Sequence, residues 1–267
     1  MRPPITKMAV GAKAPIGSDA QGDGQLPGAH RQGGLRCAMH GGDMGISEFD
    51  RNGYCVSSPL FSERACEALG EKLASVALSM AGSRSLLEEA WCASLAHELR
   101  GHPLLVELLP PDFVAVQCTF FEKSVDRNWL VSLHQDLSIP VRRRLDHPAL
   151  TGWSEKQGTF FVQPPAAVLE KLVAVRLHVD ACGPGDGPLK VVPGSHVHGR
   201  INGEAARLLR ATHGEVVCPV ARGGVMLMRP LLLHASSKAS GLSRRRVLHF
   251  LFAPRPLPFG LQWRDTV

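Results

Sequence analysis

From residue 113 onward this chain is a succession of short apolar segments, and this pattern constrains its fold more than any other feature. The segments are rich in β-branched and aromatic residues, and turns that contain Gly or Pro separate them, as in the string GPGDG at 183–187. We therefore predict about eight short strands, over residues 113–121, 129–133, 159–162, 172–180, 189–192, 215–220, 225–228 and 246–252.

A helical region precedes these strands. Ser62 can cap a helix whose apolar residues recur at helical spacing, namely Ala65, Leu69, Leu73 and Val76. Two further helices are predicted at 86–99 and 104–109, and a short strand at 49–56 comes before all three. Helices followed by many strands favour two facing antiparallel sheets. We predict a mainly β fold with a helical lead-in, a double-stranded β-helix (jelly roll) with helices packed on one side.

Residues 1–45 differ from the rest of the chain. They are rich in Gly and Pro, contain almost no large apolar residues and show no periodicity. Such a segment cannot bury enough apolar surface to offset the entropy lost on ordering. We predict a disordered Gly/Pro-rich tail over 1–45 and one folded domain over 46–267. An over-extended start site would explain the same segment, because Met39 and Met44 precede the first residue expected to be folded.

The charged residues and cysteines narrow the range of partners. Lys and Arg number 30 against 24 Asp and Glu, partly through arginine runs at 142–144 and 244–246. No aromatic residues are interleaved with these arginines, so nucleic acid is not expected as a partner. The seven cysteines form no CxxC pair, which indicates thiols in a reducing compartment. No apolar stretch is long enough for a membrane span, so we expect a cytoplasmic protein that acts on a small molecule.

A candidate metal site lies at residues 133–136, where the sequence reads LHQD. In an extended segment residues i and i+2 point to the same side, so His134 and Asp136 can reach one ion together. Ferrous iron that binds a cosubstrate and O2 is typically held by two His and one carboxylate, which leave the other positions open. The third ligand must come from another strand, and His234 fits because it ends the apolar run 225–233.

A second His-x-Asp pair, His178 and Asp180, also precedes His234. In a jelly-roll oxygenase several strands separate the His-x-Asp strand from the strand of the distal His. Five predicted strands lie between Asp136 and His234, but only three lie between Asp180 and His234. We therefore assign the metal site to His134, Asp136 and His234, and we expect His178 and Asp180 to be inward or strand-end residues near the pocket.

The closing arginines provide a candidate for holding the cosubstrate. 2-Oxoglutarate would chelate the iron through its keto acid end, and its far carboxylate then needs a cation. Arg suits this role because its planar guanidinium holds a carboxylate by two parallel hydrogen bonds. If Arg245 and Val247 share a face of the last strand, Arg245 points inward. An alternation shifted by one residue would present Arg246 instead.

Together these motifs resemble the phytanoyl-CoA dioxygenase-like family of Fe(II)/2-oxoglutarate-dependent oxygenases. The matching strings are FEK at 121–123, LHQD at 133–136, GPLKVVPGSH at 187–196, PLLLHAS at 230–236 and the arginines before Val247. The resemblance spans residues 46–267. It implies a double-stranded β-helix, the cofactors Fe(II), 2-oxoglutarate and O2, and hydroxylation of an unactivated C–H bond with release of succinate and CO2.

The resemblance also implies roles for particular residues. The metal ligands, which are also the catalytic residues, would be His134, Asp136 and His234. Arg245 and Ser236 would contact the cosubstrate, and Lys123 matches a position near the pocket.

Two features of the family strings need a separate interpretation. Some family members carry an aromatic residue where this chain has Arg176, and a charged side chain there would change the surface that meets the substrate. His196 and His198 lie in the turn of the PGSH string and lack a carboxylate at matching spacing, so we expect them and Ser195 to be structural.

Two other functions are compatible with parts of the sequence. A non-catalytic jelly-roll module could bind a small acidic ligand through the arginines, but such a module has no need for Asp136 beside His134. The basic runs would suit an oxidative demethylase of nucleic acid, which salt-dependent binding of DNA or RNA would reveal. The sequence indicates no oligomeric state.

Overall fold

The N-terminal part of the described chain is helical. A computed structural model describes residues 44–74, 76, 86–241 and 244–267. Residues 1–43 of the tail predicted at 1–45 therefore lie outside the described residues. Helix α1 (Met44–Asn52) includes the last two residues of the predicted tail, and it occupies residues 49–52 of the strand predicted at 49–56. Gly53, at φ +77°, ends α1 by donating its N–H to the Phe49 carbonyl at 2.7 Å, and strand β1 (Tyr54–Pro59) follows.

Two longer helices follow, close to their predicted positions. In α2 (Glu63–Ala74) the Ala65 N–H donates to the Ser62 hydroxyl at 3.2 Å, as the cap prediction required. A 3-10 turn (Leu86–Glu88) leads into α3 (Ala90–Gly101). The helix predicted at 104–109 is wrong, because His102 adopts an extended conformation at the end of α3 and the following residues form turns.

Each of the eight strands predicted after residue 113 overlaps a strand of the structure. The strands are β2 (Phe113–Lys123), β3 (Val131–His134), β4 (Ile139–Val141), β5 (Thr151–Lys156), β6 (Thr159–Gln163), β7 (Val173–His178), β8 (Leu189–Val191), β9 (Val216–Cys218), β10 (Gly224–Met228), β11 (His234–Ser236) and β12 (Arg245–Pro254). Strands β4 and β11 are only three residues long and β5 is polar, so none of these three has a readable apolar pattern.

Two helices interrupt the strands. Helix α4 (Ala166–Leu169) is a single turn, and α5 (Gly203–His213) is capped by the Asn202 side chain, which accepts hydrogen bonds from the N–H groups of Glu204 and Ala205. Neither helix was predicted. Within the described ranges, every helix is too short or too polar to cross a bilayer.

The strands form three antiparallel sheets. Their orders are β1-β10-β7-β12-β2, β3-β11-β8-β9 and β4-β6-β5. Side chains alternate across the five-stranded sheet: Leu248 and Phe250 pack on one face with Leu69 and Leu99 of the helices. Residues of the other face pack with residues of the four-stranded sheet, as Ala174 and Met226 do with Leu189 and Val191. The predicted jelly roll with helices on one side is confirmed.

Candidate metal centre

Strand pairing brings the three predicted metal ligands together. Strands β3 and β11 are antiparallel neighbours, and His134 lies directly opposite His234 in their register. One oxygen of the Asp136 carboxylate lies 3.8 Å from Nε2 of His134, and the other lies 3.8 Å from Nε2 of His234. All three ligand atoms lie within 4.8 Å of one another, and no other group of this kind occurs among the described residues.

Backbone carbonyl groups orient both imidazole rings. Nδ1 of His134 lies 2.8 Å from the Ser132 carbonyl, and Nδ1 of His234 lies 2.9 Å from the Leu232 carbonyl. A carbonyl only accepts, so each Nδ1 carries the proton and each Nε2 presents a lone pair to the centre. Two imidazole nitrogens and one carboxylate oxygen on one side of a cavity fit a divalent ion such as Fe(II).

The charges of the centre suit a cation. Burial lowers the pKa of His234 to about 4, and the charge of Asp136 opposes this only in part. Burial alone would raise the pKa of Asp136, but the neighbouring His234, His249 and His134 together with Arg176 lower it below its ordinary value. At neutral pH His234 is therefore neutral and Asp136 ionised, and these are the states that bind a metal ion.

The three residues line a cavity of about 350 Å³ between the facing sheets. Its wall includes Lys123 and Arg245, which lie opposite each other on β2 and β12. The Lys123 ammonium donates to the Ser236 hydroxyl at 2.8 Å and to the Ser237 carbonyl at 2.6 Å. Nη1 of Arg245 donates to the Gly187 carbonyl at 2.6 Å, whereas its Nε is buried without a partner. One edge of this guanidinium is thus available to a carboxylate.

Arg246, the alternative to Arg245, does not face the cavity. Its Nε and Nη2 donate to the two carboxylate oxygens of Asp180, each at 2.8 Å, and its Nη1 donates to the Gly70 carbonyl at 3.0 Å. The preceding Arg244 pairs with Glu122. Strand alternation therefore points Arg245 into the cavity and Arg246 away from it.

The second His-x-Asp pair serves the packing of β7. Asp180 binds Arg246, and His178 is buried opposite Val247 of β12 with its Nδ1 unpartnered. Burial lowers the pKa of His178 well below its ordinary value, so this imidazole is neutral. The structure brings neither residue into the three-residue centre.

The PGSH turn supports the centre without joining it. The Ser195 hydroxyl accepts a hydrogen bond from the Leu233 N–H at 2.8 Å, immediately before His234. His196 packs on Gly53, with Nε2 3.0 Å from the Asp50 carbonyl, and His198 is exposed.

Gln135 and His249 were not singled out from the sequence. The Gln135 amide donates to the carbonyl groups of Gly199 and Leu231 at 2.8 and 2.6 Å and accepts from the Ile201 N–H at 2.8 Å, which ties the loop after β3 to two other segments. His249 lines the cavity. The alternation that points Arg245 inward also points His249 inward, and this signal could have identified it.

A family model and several solved structures match this chain. The model of the phytanoyl-CoA dioxygenase family (PhyH) matches residues 49–247. A search of the curated proteins found no matching relative.

The solved structures share the fold at low sequence identity. EctD from S. alaskensis in its apo form is 21% identical, with a TM-score of 0.59 and an alignment that covers 81% of this chain and 79% of EctD. HygX from Streptomyces hygroscopicus, with nickel and 2-oxoglutarate bound, is 19% identical, with a TM-score of 0.56 and coverages of 82% and 88%. SnoK, a non-heme alpha-ketoglutarate-dependent carbocyclase from nogalamycin biosynthesis, is 14% identical, with a TM-score of 0.57 and coverages of 79% and 83%.

Proposed function

We propose that this chain, which belongs to the phytanoyl-CoA dioxygenase family, hydroxylates an unactivated C–H bond of a small molecule. As a 2-oxoglutarate-dependent dioxygenase, it would release succinate and CO2 in the same reaction. The observation that carries the proposal is the convergence of two oriented imidazoles and one carboxylate in the wall of a cavity that also contains Arg245. HygX, whose fold is similar, binds nickel and 2-oxoglutarate.

In this proposal His134, Asp136 and His234 hold Fe(II). When bound, the iron would supply the activation of O2 that is coupled to decarboxylation of 2-oxoglutarate. Because each Nδ1 is anchored to a carbonyl, both histidines keep their Nε2 lone pairs directed at the ion.

Arg245, Lys123 and Ser236 hold the far carboxylate of 2-oxoglutarate. Nε of Arg245 has no other partner, and a carboxylate can accept from it and from the neighbouring guanidinium nitrogen. Lys123 adds a second positive charge beside Arg245, and the Ser236 hydroxyl that accepts from Lys123 keeps a hydrogen of its own to donate. Lys123, Ser236 and Arg245 are each at most 3% exposed, and this burial strengthens their interactions with a carboxylate.

The alternative function is a non-catalytic module that binds a small acid through Arg245. It would hold a small acid near Arg245 and would gain nothing from Asp136, whose charge would repel that acid. The orientation of both Nε2 atoms toward Asp136 favours the enzyme.

The test is an anaerobic titration of the full chain with Fe(II) and 2-oxoglutarate, followed by the visible charge-transfer band of the ternary complex. We expect the band in the wild-type protein and its loss in His134→Ala and Asp136→Ala. His178→Ala is the matched control, and it should keep nearly all of its affinity for iron. Iron binding lost in His178→Ala and kept in His134→Ala would reverse the assignment.

Substrates can then be sought by succinate release. Acyl-CoAs, amino acids and secondary metabolites would be screened with the wild-type protein, and Asp136→Ala would supply the background.

We also propose a cytoplasmic location. Five described cysteines, Cys66, Cys92, Cys118, Cys182 and Cys218, are free thiols, and all five are buried. This pattern is typical of proteins in reducing compartments.

A further inference from the structure

Strand β7 presents a second arginine to the cavity that contains the metal centre. Arg176 lines this cavity and is only 6% exposed. Its Nη1 donates to Nδ1 of His249 at 2.7 Å, and its guanidinium lies 5.4 Å from the ring centroid of Phe121. Its Nε is buried without a hydrogen-bond partner. A buried charged donor without a partner is rare in proteins, and a guanidinium that also lines a cavity can complete its hydrogen bonds with a ligand.

Among the described residues no carboxylate lies within ion-pair distance of Arg176, and Asp136 attracts it only from farther away. None of the ion pairs found among the described residues includes it. The cavity wall contains the buried cations Lys123, Arg176 and Arg245 but a single carboxylate, that of Asp136. Loading does not change this excess, because Fe(II) and 2-oxoglutarate carry equal and opposite charges. A buried charge is costly unless it is paired, so the loaded cavity favours a further anion.

The neighbours of Arg176 are hydrogen-bond donors too. Burial and the nearby Arg176 lower the pKa of His249 to about 3, so this imidazole is neutral at pH 7. Since its Nδ1 accepts from Arg176, the imidazole proton is on Nε2. Thr119 lies opposite His249 in the sheet, and its hydroxyl accepts from the Gln117 amide at 2.7 Å, which leaves the hydroxyl hydrogen to donate. Arg176, His249 and Thr119 thus lie side by side on three neighbouring strands, and each can donate a hydrogen bond to a group that only accepts them, such as a carboxylate.

We propose that Arg176, with His249 and Thr119, binds a carboxylate of the primary substrate, so that this enzyme acts on small carboxylic acids. The inference rests on the proposed function. The rest of the substrate would contact the apolar part of the same wall, which includes Ile139, Phe161, Leu172 and Leu251. Arg176 is the specificity-determining residue in this arrangement.

The two carboxylates of 2-oxoglutarate are another source of the same chemistry. One of them chelates the iron and the other meets Arg245 and Lys123 in the proposed function, so neither needs Arg176. The two sources therefore make different predictions for a variant of Arg176.

The experiment measures anion binding directly, by calorimetry on the full chain loaded anaerobically with Fe(II) and saturating 2-oxoglutarate. The probes are acids from acetate to 4-phenylbutyrate, each paired with its amide, which has nearly the same shape but no charge. We expect the wild-type protein to bind at least one acid about ten- to hundred-fold more tightly than its amide, the range of a charge-assisted hydrogen bond. Arg176→Gln should abolish the preference, and Arg176→Lys should restore part of it.

Two control measurements test whether the preference for the acid depends on Arg176 itself. Arg143→Gln removes an exposed positive charge and should leave the preference for the acid intact. The affinity of Arg176→Gln for 2-oxoglutarate should remain within about two-fold of the wild-type value, since a change of that size is below one hydrogen bond.

The outcomes are distinguishable. If the wild-type protein binds no acid more tightly than its amide, or if Arg176→Gln keeps the preference, the inference is overturned. A loss of 2-oxoglutarate affinity in Arg176→Gln as large as that in Arg245→Gln would assign Arg176 to the cosubstrate instead. If the wild-type protein binds neither Fe(II) nor 2-oxoglutarate, the proposed function fails. A preference for the acid by the metal-free chain would then support the subsite if Arg176→Gln abolishes it and Arg245→Gln keeps it, and the opposite result would overturn the inference.

Discussion

Consecutive arginines on β12 have opposite roles, and single substitutions can separate them. Arg245 has a buried, unpartnered Nε in the cavity, whereas Arg246 binds both oxygens of Asp180. We expect Arg245→Gln to raise the dissociation constant of 2-oxoglutarate by about ten-fold or more, because a charge-assisted hydrogen bond contributes roughly 1.5–3 kcal/mol. Calorimetric titration with 2-oxoglutarate checks this.

Arg246→Gln is the matched variant. It should leave the affinity for 2-oxoglutarate unchanged and should lower the free energy of unfolding by about 1–3 kcal/mol, because Asp180 loses a charged partner in a largely buried setting. Urea unfolding measures the second effect. A weaker affinity for 2-oxoglutarate in Arg246→Gln than in Arg245→Gln would exchange the two assignments.

Lys123 makes cosubstrate binding depend on pH. Burial, and then the charges of Arg245 and Arg176, lower the pKa of its ammonium to about 8, although Cys182 opposes this shift. Lys123 is therefore charged below about pH 8 and loses its attraction for a carboxylate as the pH rises through that value. We expect the dissociation constant of 2-oxoglutarate to increase across this range in the wild-type protein.

The Lys123→Met variant provides the comparison. Its affinity for 2-oxoglutarate should be weaker below pH 8 and nearly independent of pH across the same range. Titrations at several pH values decide this, and equal pH profiles for the two proteins would show that another group titrates.

At the scale of the element, loops between strands hold the centre in place. Asp136 lies after the end of β3, so its position depends on the loop and not on sheet pairing alone. Its N–H donates to the Pro230 carbonyl at 2.9 Å, and Gln135 binds Gly199, Leu231 and Ile201. Residues that contact no ligand therefore determine where the carboxylate lies.

Gln135→Ala tests this support. We expect the affinity for Fe(II) to fall by roughly ten- to hundred-fold, the range known for groups that orient metal ligands. Asn202→Ala is the control, because it removes the cap of α5 nearby and should cost about 1 kcal/mol of stability without changing iron affinity. Equal iron affinities for Gln135→Ala and the wild-type protein would contradict the role of the loop.

At the scale of the molecule, the five-stranded sheet separates two environments. Its helix-side face is mainly apolar and carries Leu248 and Phe250 beside the ion pair of Arg246 with Asp180, whereas its cavity side carries Arg245 and His249 on the same strand. The helices thus cover one face by packing, and the residues of the proposed site lie on the other. Because successive side chains point to opposite faces, one strand can serve both.

Phe250→Ala tests the packing of the helix-side core. The ring is completely buried, so its loss should reduce the free energy of unfolding by about 3–5 kcal/mol through lost burial and a cavity. Urea unfolding measures the change, and Leu208→Ala, at an exposed position of α5, should differ from the wild-type protein by less than about 0.5 kcal/mol. A cost for Phe250→Ala as small as that of Leu208→Ala would contradict this description of the core.

Long apolar strands and the caps of helices could be predicted because their signals are local. Ser62 and the apolar run that became β2 are examples. Strand β11 could not be predicted, because its three residues show no alternation and its pairing with β3 and β8 defines it. Helix α5 has its cap in Asn202 and was overlooked among strand signals.

By itself the sequence determined the jelly-roll class and the identity of His134, Asp136, His234 and Arg245 as site candidates. These inferences depend on the alternation of side chains along a strand and on the order of strands, and both can be read from a linear chain. Only the tertiary structure decided that Asp180 binds Arg246 and that Arg176 meets His249 beside the metal centre. Asp180 and Arg246 are 66 residues apart in the sequence, and Arg176 and His249 are 73 residues apart. Such contacts are set by strand register, which depends on packing across the whole sheet.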